Sequence, residues 1–421
     1  MKLHKNSLFQ IGLLLIVSSV TFTSCVKTGC EREFNYVAYR PVYMSYEDLR
    51  NAVTVEGPRK MVTTGKIYYH APYLFVNEVN EGIHIVNISN VAAPIITGFI
   101  NIPGNVDIAM SGNTLYADSY IDLVALDVTN MDAIAIVDRE QNVFPYRVDE
   151  NIHVDVDETK GVVDGWLGTD TAITMECGNI DSYFFPTDVV FLSESSAAFE
   201  GAPGVNGSKG GSMARFAVDN NYLYCLSENT MELFDVNNQN NPVHSGDVPM
   251  PWNIETIFPH EDYLFIGSTT GVSIYNNSSP FNPTFVSIFE HATSCDPVVV
   301  KGNYAYSTLR SGNECAGFSN QLDIIDISNI SYPSLVNTVN LTNPRGLGID
   351  EDYLFICDGN GGLRMYSINV PTAPTLLQVV DIEESFDVIT ANGLLIVVTA
   401  DGYHLFDYSS GTLNEVGAIK K

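Results

Sequence analysis

Apolar positions along this chain recur in short alternating runs, most of them preceded by a turn pair drawn from Gly, Asn, Asp and Glu. The runs open at Tyr73-Leu-Phe-Val, Thr114-Leu-Tyr-Ala, Tyr222-Leu-Tyr-Cys, Tyr263-Leu-Phe-Ile, Tyr304-Ala-Tyr-Ser, Tyr353-Leu-Phe-Ile and Leu394-Leu-Ile-Val. Successive anchors are 41, 108, 41, 41, 49 and 41 residues apart, so one period of 41 governs the chain, with one large and one small addition. Alternation at period two marks strands packed against a core. Some ten residues after each anchor a further apolar run ends near Asp, Asn or Ser, at 83–87, 123–127, 232–235, 272–276, 322–326, 363–367 and 403–407. Most of these enter an Asn/Ser/Pro turn, as at 87–94, 326–333 and 369–374, followed by another β-rich run such as 95–100 or 376–380. With the strand before each anchor, such as 107–110 or 297–300, every repeat contains four strands.

Four short strands in about 41 residues are the content of one propeller blade, and periods near 40 to 45 mark blade arrays. The expectation is an all-β, seven-bladed β-propeller of four-stranded blades over residues 65–421. A single blade cannot bury both faces, so the array must close into a ring. The last copy includes its own outer run at 413–419, so every blade is contiguous in sequence. A parallel β-helix is the structural rival, but its rungs are shorter and lack hairpin turns at this spacing.

Composition agrees with short strands and turns. Of the 421 residues 45% are hydrophobic and 17% charged, with 32 Gly and 19 Pro. That is too apolar for an acidic disordered chain. Fifty acids against 20 Lys and Arg give a formal charge of −30, which repels phosphate backbones and argues against nucleic acid as a partner.

Three segments fall outside the repeats. Residues 1–24 read as an export signal, with Lys2 and Lys5 before a short apolar core at 11–17 that cannot span a bilayer. Its end, Thr23-Ser24-Cys25, resembles the lipobox of bacterial lipoproteins, which implies acylation of Cys25 and anchoring by lipid. Ordinary cleavage leaving a free Cys25 is the alternative. Residues 25–64 read as an anchored tether with one short helix capped by Ser45 and carrying acids in its first turn. Residues 140–212 form a large insertion between blades 2 and 3, with a β-like part at 146–174, an aromatic patch at 183–186 and a Gly/Ser run at 201–212 read as a flexible loop. Long insertions in compact domains often carry function.

The strand and turn pattern, closest in Ile85-Val-Asn-Ile-Ser-Asn and Asp323-Ile-Ile-Asp-Ile-Ser-Asn, resembles the LVIVD-repeat propellers of bacterial surface lipoproteins. The Gly-His and Trp-Asp pair of WD40 blades and the Asp boxes of sialidase propellers are missing. The resemblance implies a propeller in the cell envelope and little about activity. Lipoproteins of this composition resemble those of Bacteroidetes, in which Asp170-Thr171-Ala172 would fit an O-glycosylation pattern at Thr171, with an unmodified loop as the alternative.

Aligned on the anchors, a charged residue precedes or opens each innermost strand: Lys66, Asp107, Arg215, Glu255, Asp296, Arg345 and Asp387. These seven are expected at the channel mouth, as a polar site for a small ligand or as a structural ring of ion pairs. Cys295 and Cys315 are a candidate disulfide, with two free thiols as the alternative, whereas Cys225 and Cys357 sit in apolar runs as expected for buried thiols. The acidic stretch from Asp155 to Gly161 departs from an EF-hand, with Thr159 and Trp166 at its fifth and twelfth places. Residues 204–212 do not match a phosphate loop. Neither GxSxG nor HExxH occurs. The expectation is therefore a lipid-anchored envelope module, at the periplasmic or surface face of an outer membrane. It binds a protein or glycan through its upper loops and the insertion, with no catalysis, cofactor or metal. The rival is a lactonase-like, metal-dependent hydrolase using Asp107, Glu255, Asp296 and Asp387, where interleaved Lys66, Arg215 and Arg345 would repel the cation.

Overall fold

The computed structural model describes residues 31–147, 155–176, 208–210, 212–227, 229–251, 254–290, 297–311 and 319–421. Cys25, Cys295, Cys315 and Asp296 lie outside them. The chain divides into two compact units. The larger contains seven blades of four antiparallel strands each, at residues 64–101, 108–140, 216–249, 254–290, 298–340, 347–380 and 385–420. Each blade is built from consecutive strands, so the array is the all-β, seven-bladed propeller that the period of 41 predicts.

The apolar runs bury both faces of the blades. Six hydrophobic clusters lie at the blade interfaces, one of them spanning blades 1, 2 and 3. Ring closure rests on one of these, where Ile67, Leu74 and Val76 of blade 1 meet Ile396, Tyr403 and Leu405 of blade 7. Fixed aromatic anchors cross the interfaces. Tyr116 donates its hydroxyl to the Gln239 carbonyl at 2.8 Å, Tyr224 to Asn277 at 2.9 Å and Tyr306 to the Pro371 carbonyl at 3.2 Å, each time in a turn of the next blade. A buried tyrosine needs such a partner for its hydroxyl.

The turn after the third strand explains why the repeat ends in Asp or Asn. In all seven blades the residue closing this strand accepts the amide of the residue two positions on: Asn87 from Ser89, Asp127 from Thr129, Asp235 from Asn237, Asn276 from Ser278, Asp326 from Ser328, Ser367 from Asn369 and Asp407 from Ser409, at 2.8–3.4 Å. Asx turns of this kind reverse the chain without a helix or a glycine. The intervening residue, Ile88, Val128, Val236, Asn277, Ile327, Ile368 or Tyr408, donates its amide to the carbonyl just before the blade's anchor, at 2.6–2.9 Å. Every blade is thus latched at one end. A β-bulge interrupts the pairing of third and outer strands in all seven blades, which twists the outer edge and makes it a poor template for aggregation.

Blade 1 carries two further strands. Thr54–Glu56 pairs with its outer strand and Ser208–Gly210 with its innermost. The predicted helix is present at Tyr46–Asn51, where Ser45 Oγ accepts the Asp48 amide at 3.1 Å. Leu49 of this helix packs with Ile121 and Val162. Arg50 reaches Asp122 Oδ2 at 3.0 Å, and Arg139 holds the same oxygen of this buried carboxylate at 3.1 Å. Residues 31–44, read in the sequence as part of an extended tether, form the strand Glu31–Met44, which pairs with Val162–Glu176 in a separate two-stranded ribbon.

Asp127, Asp326 and Asp407 are held below the ordinary carboxylate value of 3.8 by the hydroxyl and then the amide of Thr129, Ser328 and Ser409. Because the folded value lies below the unfolded one, their contribution is present above about pH 4 and is lost as the pH falls through the folded values. Replacing all three by Asn, which serves the same turn at Asn87 and Asn276, is expected to leave the melting temperature at pH 7 nearly unchanged and to flatten its decline between pH 4 and pH 2, as thermal melts would register.

Candidate binding site at the channel mouth

The innermost strands begin on one face of the ring, and there most of the charged positions find partners within the chain. Lys66, in the first strand of blade 1, donates to the Met213 carbonyl at 2.5 Å and stands 3.8 Å from Asp107. Both side chains are only 2% exposed. Asp107, just before blade 2, also accepts the amides of Arg215 at 2.6 Å and Ile108 at 2.7 Å. Burial raises its carboxyl to about 6, outweighing Lys66 and the two amides, which pull it down. Arg215 donates to the Ile254 carbonyl at 3.3 Å; burial, and then Arg147, lower its guanidinium while Asp107 and Glu255 oppose them. Arg345 pairs with Glu384 and lies 4.4 Å from the centre of the Phe386 ring. Asp387 accepts the amide and hydroxyl of Ser212 at 3.1 and 3.0 Å.

The channel itself holds part of the chain. Ser208–Gly210 pairs antiparallel with Tyr68, Tyr69 and His70 on the axial side of blade 1. Ser212, 2% exposed, follows with its hydroxyl between two blades, donating to Asp387 of blade 7 and accepting the Leu347 amide of blade 6 at 2.7 Å. Met213 then reaches Lys66. The Gly/Ser run read as a flexible loop is therefore, over Ser208–Gly210, an ordered strand, because the inner edge of blade 1 offers unpaired backbone groups that it satisfies. Of the seven charged positions, Lys66, Asp107, Arg215 and Asp387 hold the chain's own segment and Arg345 is engaged by Glu384, while Asp296 lies outside the described residues.

Among the described residues a cleft between blades 2 and 3, with a volume of about 50 Å³, is bounded by Asp107, Asp118, Phe144, Arg147, Arg215 and Phe216. Phe144 and Phe216 stack at 5.8 Å. Asp118, one residue before the end of the second strand of blade 2, accepts four donors: Asn105 Nδ2, the amides of Val106 and Asp107, and Arg147 Nη2, at 2.7–2.9 Å. Arg147 also donates through Nη2 to the carbonyls of Gly104 and Tyr120 at 3.2 and 3.0 Å. Sequence reasoning missed Asp118, Arg147 and Ser212. A signal for the first was visible, since an acid ends an otherwise apolar anchor strand at Asp118 as at Glu78 and Asp358.

Other candidates belong to other elements of the chain. Thr171 lies in the ribbon strand Val162–Glu176, its hydroxyl donating to the Thr169 carbonyl at 3.1 Å. The acidic stretch at 155–161 contains the 3₁₀ turn Glu158–Lys160. Among the described residues no three His, Cys, Asp or Glu side chains gather in a group that could hold a metal. Cys225 and Cys357 are buried, and burial pushes the Cys225 thiol well up, which makes it a poor nucleophile.

Replacing Ser212 by Ala removes the donor to Asp387 and the acceptor of the buried Leu347 amide. A loss of about 1–3 kcal/mol is expected in urea unfolding, the penalty for stranding buried polar groups. An unchanged midpoint and slope would show that the channel segment bears no load.

A family model for the LVIVD repeat matches residues 70–101, 293–341 and 344–382. The chain carries LVIVD repeats in a propeller. No curated protein matches it in sequence. Among solved structures it is similar to a protein from Lactobacillus plantarum, with 14% identity and a TM-score of 0.52 over 85% of this chain and 97% of that one. It also aligns with a periplasmic gluconolactonase from Pseudomonas aeruginosa, at 10% identity and a TM-score of 0.49 over 87% and 96% of the two chains. At such identities the likeness concerns the fold alone.

Proposed function

We propose that the chain is exported, acylated at Cys25 and held at the cell envelope as a binding module, with a protein or glycan partner taken up through the loops of the channel-mouth face and the 140–212 insertion. The export signal and the lipobox-like Thr23-Ser24-Cys25 support the location. One observation carries the binding reading: the insertion leaves the ring and returns to it on the same face. Arg147, near its start, is tied to Asp118, and Ser212, at its end, to Asp387 and Leu347. A rigid scaffold that fixes both roots of a long loop is the usual arrangement of a recognition surface.

The reading is tested by crosslinking in the producing cells, followed by a glycan array with the purified protein. Wild type is compared with a variant in which residues 148–207 are replaced by a short Gly-Ser linker and with Cys25→Ala. The same crosslinked partner, or the same bound glycans, should be recovered with wild type and lost at least tenfold with the shortened but folded variant, and Cys25→Ala should leave the membrane fraction. Equal recovery with the shortened variant overturns the role of the insertion, and an unchanged membrane fraction for Cys25→Ala overturns the anchor.

A further inference from the structure

We propose that the cleft between blades 2 and 3 is a subsite for a carboxylate group of a small ligand, with Arg147 as its primary donor. The inference is independent of what the insertion binds, so its failure leaves the partner-binding reading standing.

The space is of the right size. At roughly 10–15 Å³ per water-sized position, a cleft of about 50 Å³ holds about three to five waters, which is the room a carboxylate and its carbon need. Its chemistry favours an anion although two carboxylates bound it. Asp118 already accepts four donors, and Asp107 accepts the amides of Ile108 and Arg215 beside Lys66. Their charges are therefore spent on the wall. The guanidinium of Arg147 has donors to spare: its three described bonds all leave from Nη2, so Nη1 and Nε, whose N–H groups point in different directions, can each give a carboxylate oxygen a single charged hydrogen bond. Its side chain is 34% exposed, open enough for a ligand to reach and enclosed enough to strengthen a charged hydrogen bond.

A second cation reinforces the first. Arg215 bounds the same cleft, and Arg147 disfavours its charged form. Two like charges facing one small cavity are relieved when an anion enters between them. Only 20 of the chain's residues are Lys or Arg against 50 acids, whereas around this cleft Arg147 and Arg215 match Asp107 and Asp118 in number, so the acidity of the whole molecule is offset here. The Phe144 and Phe216 pair supplies an apolar wall on which the carbon skeleton behind the carboxylate can rest.

Saturation-transfer NMR on the intact protein provides the test, with acetate as the minimal probe, D-glucuronate as a larger carboxylate and D-glucose as its neutral counterpart. Acetate and glucuronate are expected to show transfer that glucose at equal concentration lacks and that declines with added chloride. Arg147→Gln should weaken glucuronate binding at least tenfold. Because Arg147 also braces Asp118, a second variant, Ser227→Asp, leaves that pair intact and places a negative charge at the cleft wall; it should weaken binding by a similar factor. Transfer from glucose equal to that from glucuronate, no transfer from either carboxylate, or wild-type binding in both variants would show that the Arg147–Asp118 pair is structural only.

Discussion

A four-stranded antiparallel sheet has two apolar faces and no means of covering either, so each blade of this protein is stable only between two others. That constraint demands closure, and closure demands uniform blades whose apolar positions fall in the same register. The latch after each third strand supplies the uniformity. An Asx or Ser side chain turns the backbone, and the next amide bonds to the carbonyl before the anchor, in all seven blades. A slip of one residue would turn every apolar side chain to the wrong face. The polar residue that ends the repeat therefore protects the core at a distance.

The same need for closure shapes the centre. Contiguous blades leave no strand exchanged between the termini to lock the ring, and blades 7 and 1 meet through an apolar cluster. The end of the insertion adds a polar lock on the axis. Ser212 joins blades 6 and 7, and Met213 touches Lys66 of blade 1, so one short segment ties together the blades on either side of the closing seam. The charges at the strand starts serve this segment, and a cleft lies beside it between blades 2 and 3.

Repetition decided what could be read from the sequence. Seven copies of one hairpin pattern declare strands, blade number and contiguity, because the physical demand on each copy is the same. The Ser45 cap and the buried Cys225 and Cys357 were also legible, since each depends on neighbours close in sequence. Contacts that occur once were not. The ribbon pairs Glu31–Met44 with Val162–Glu176, strands more than a hundred residues apart that no periodicity links. Ser212 lies in a Gly/Ser run whose composition suggests freedom, and its order comes from Asp387 and Leu347, which are distant in the chain. Arg147 was hidden for the same reason, its partner Asp118 being visible only as a polar residue at the end of an apolar strand.

If the central segment completes the ring, its backbone must be as protected as the blades it joins. Native-state hydrogen exchange on the intact protein measures this directly at the amides of Ser212, Arg215 and Leu347, which bond to Asp387, Asp107 and Ser212 in turn. Exchange as slow as that of the second strands of blades 1, 6 and 7 is the predicted result. Exchange at the rate of an unstructured peptide, with those strands still protected, would contradict it and return the channel to an open mouth.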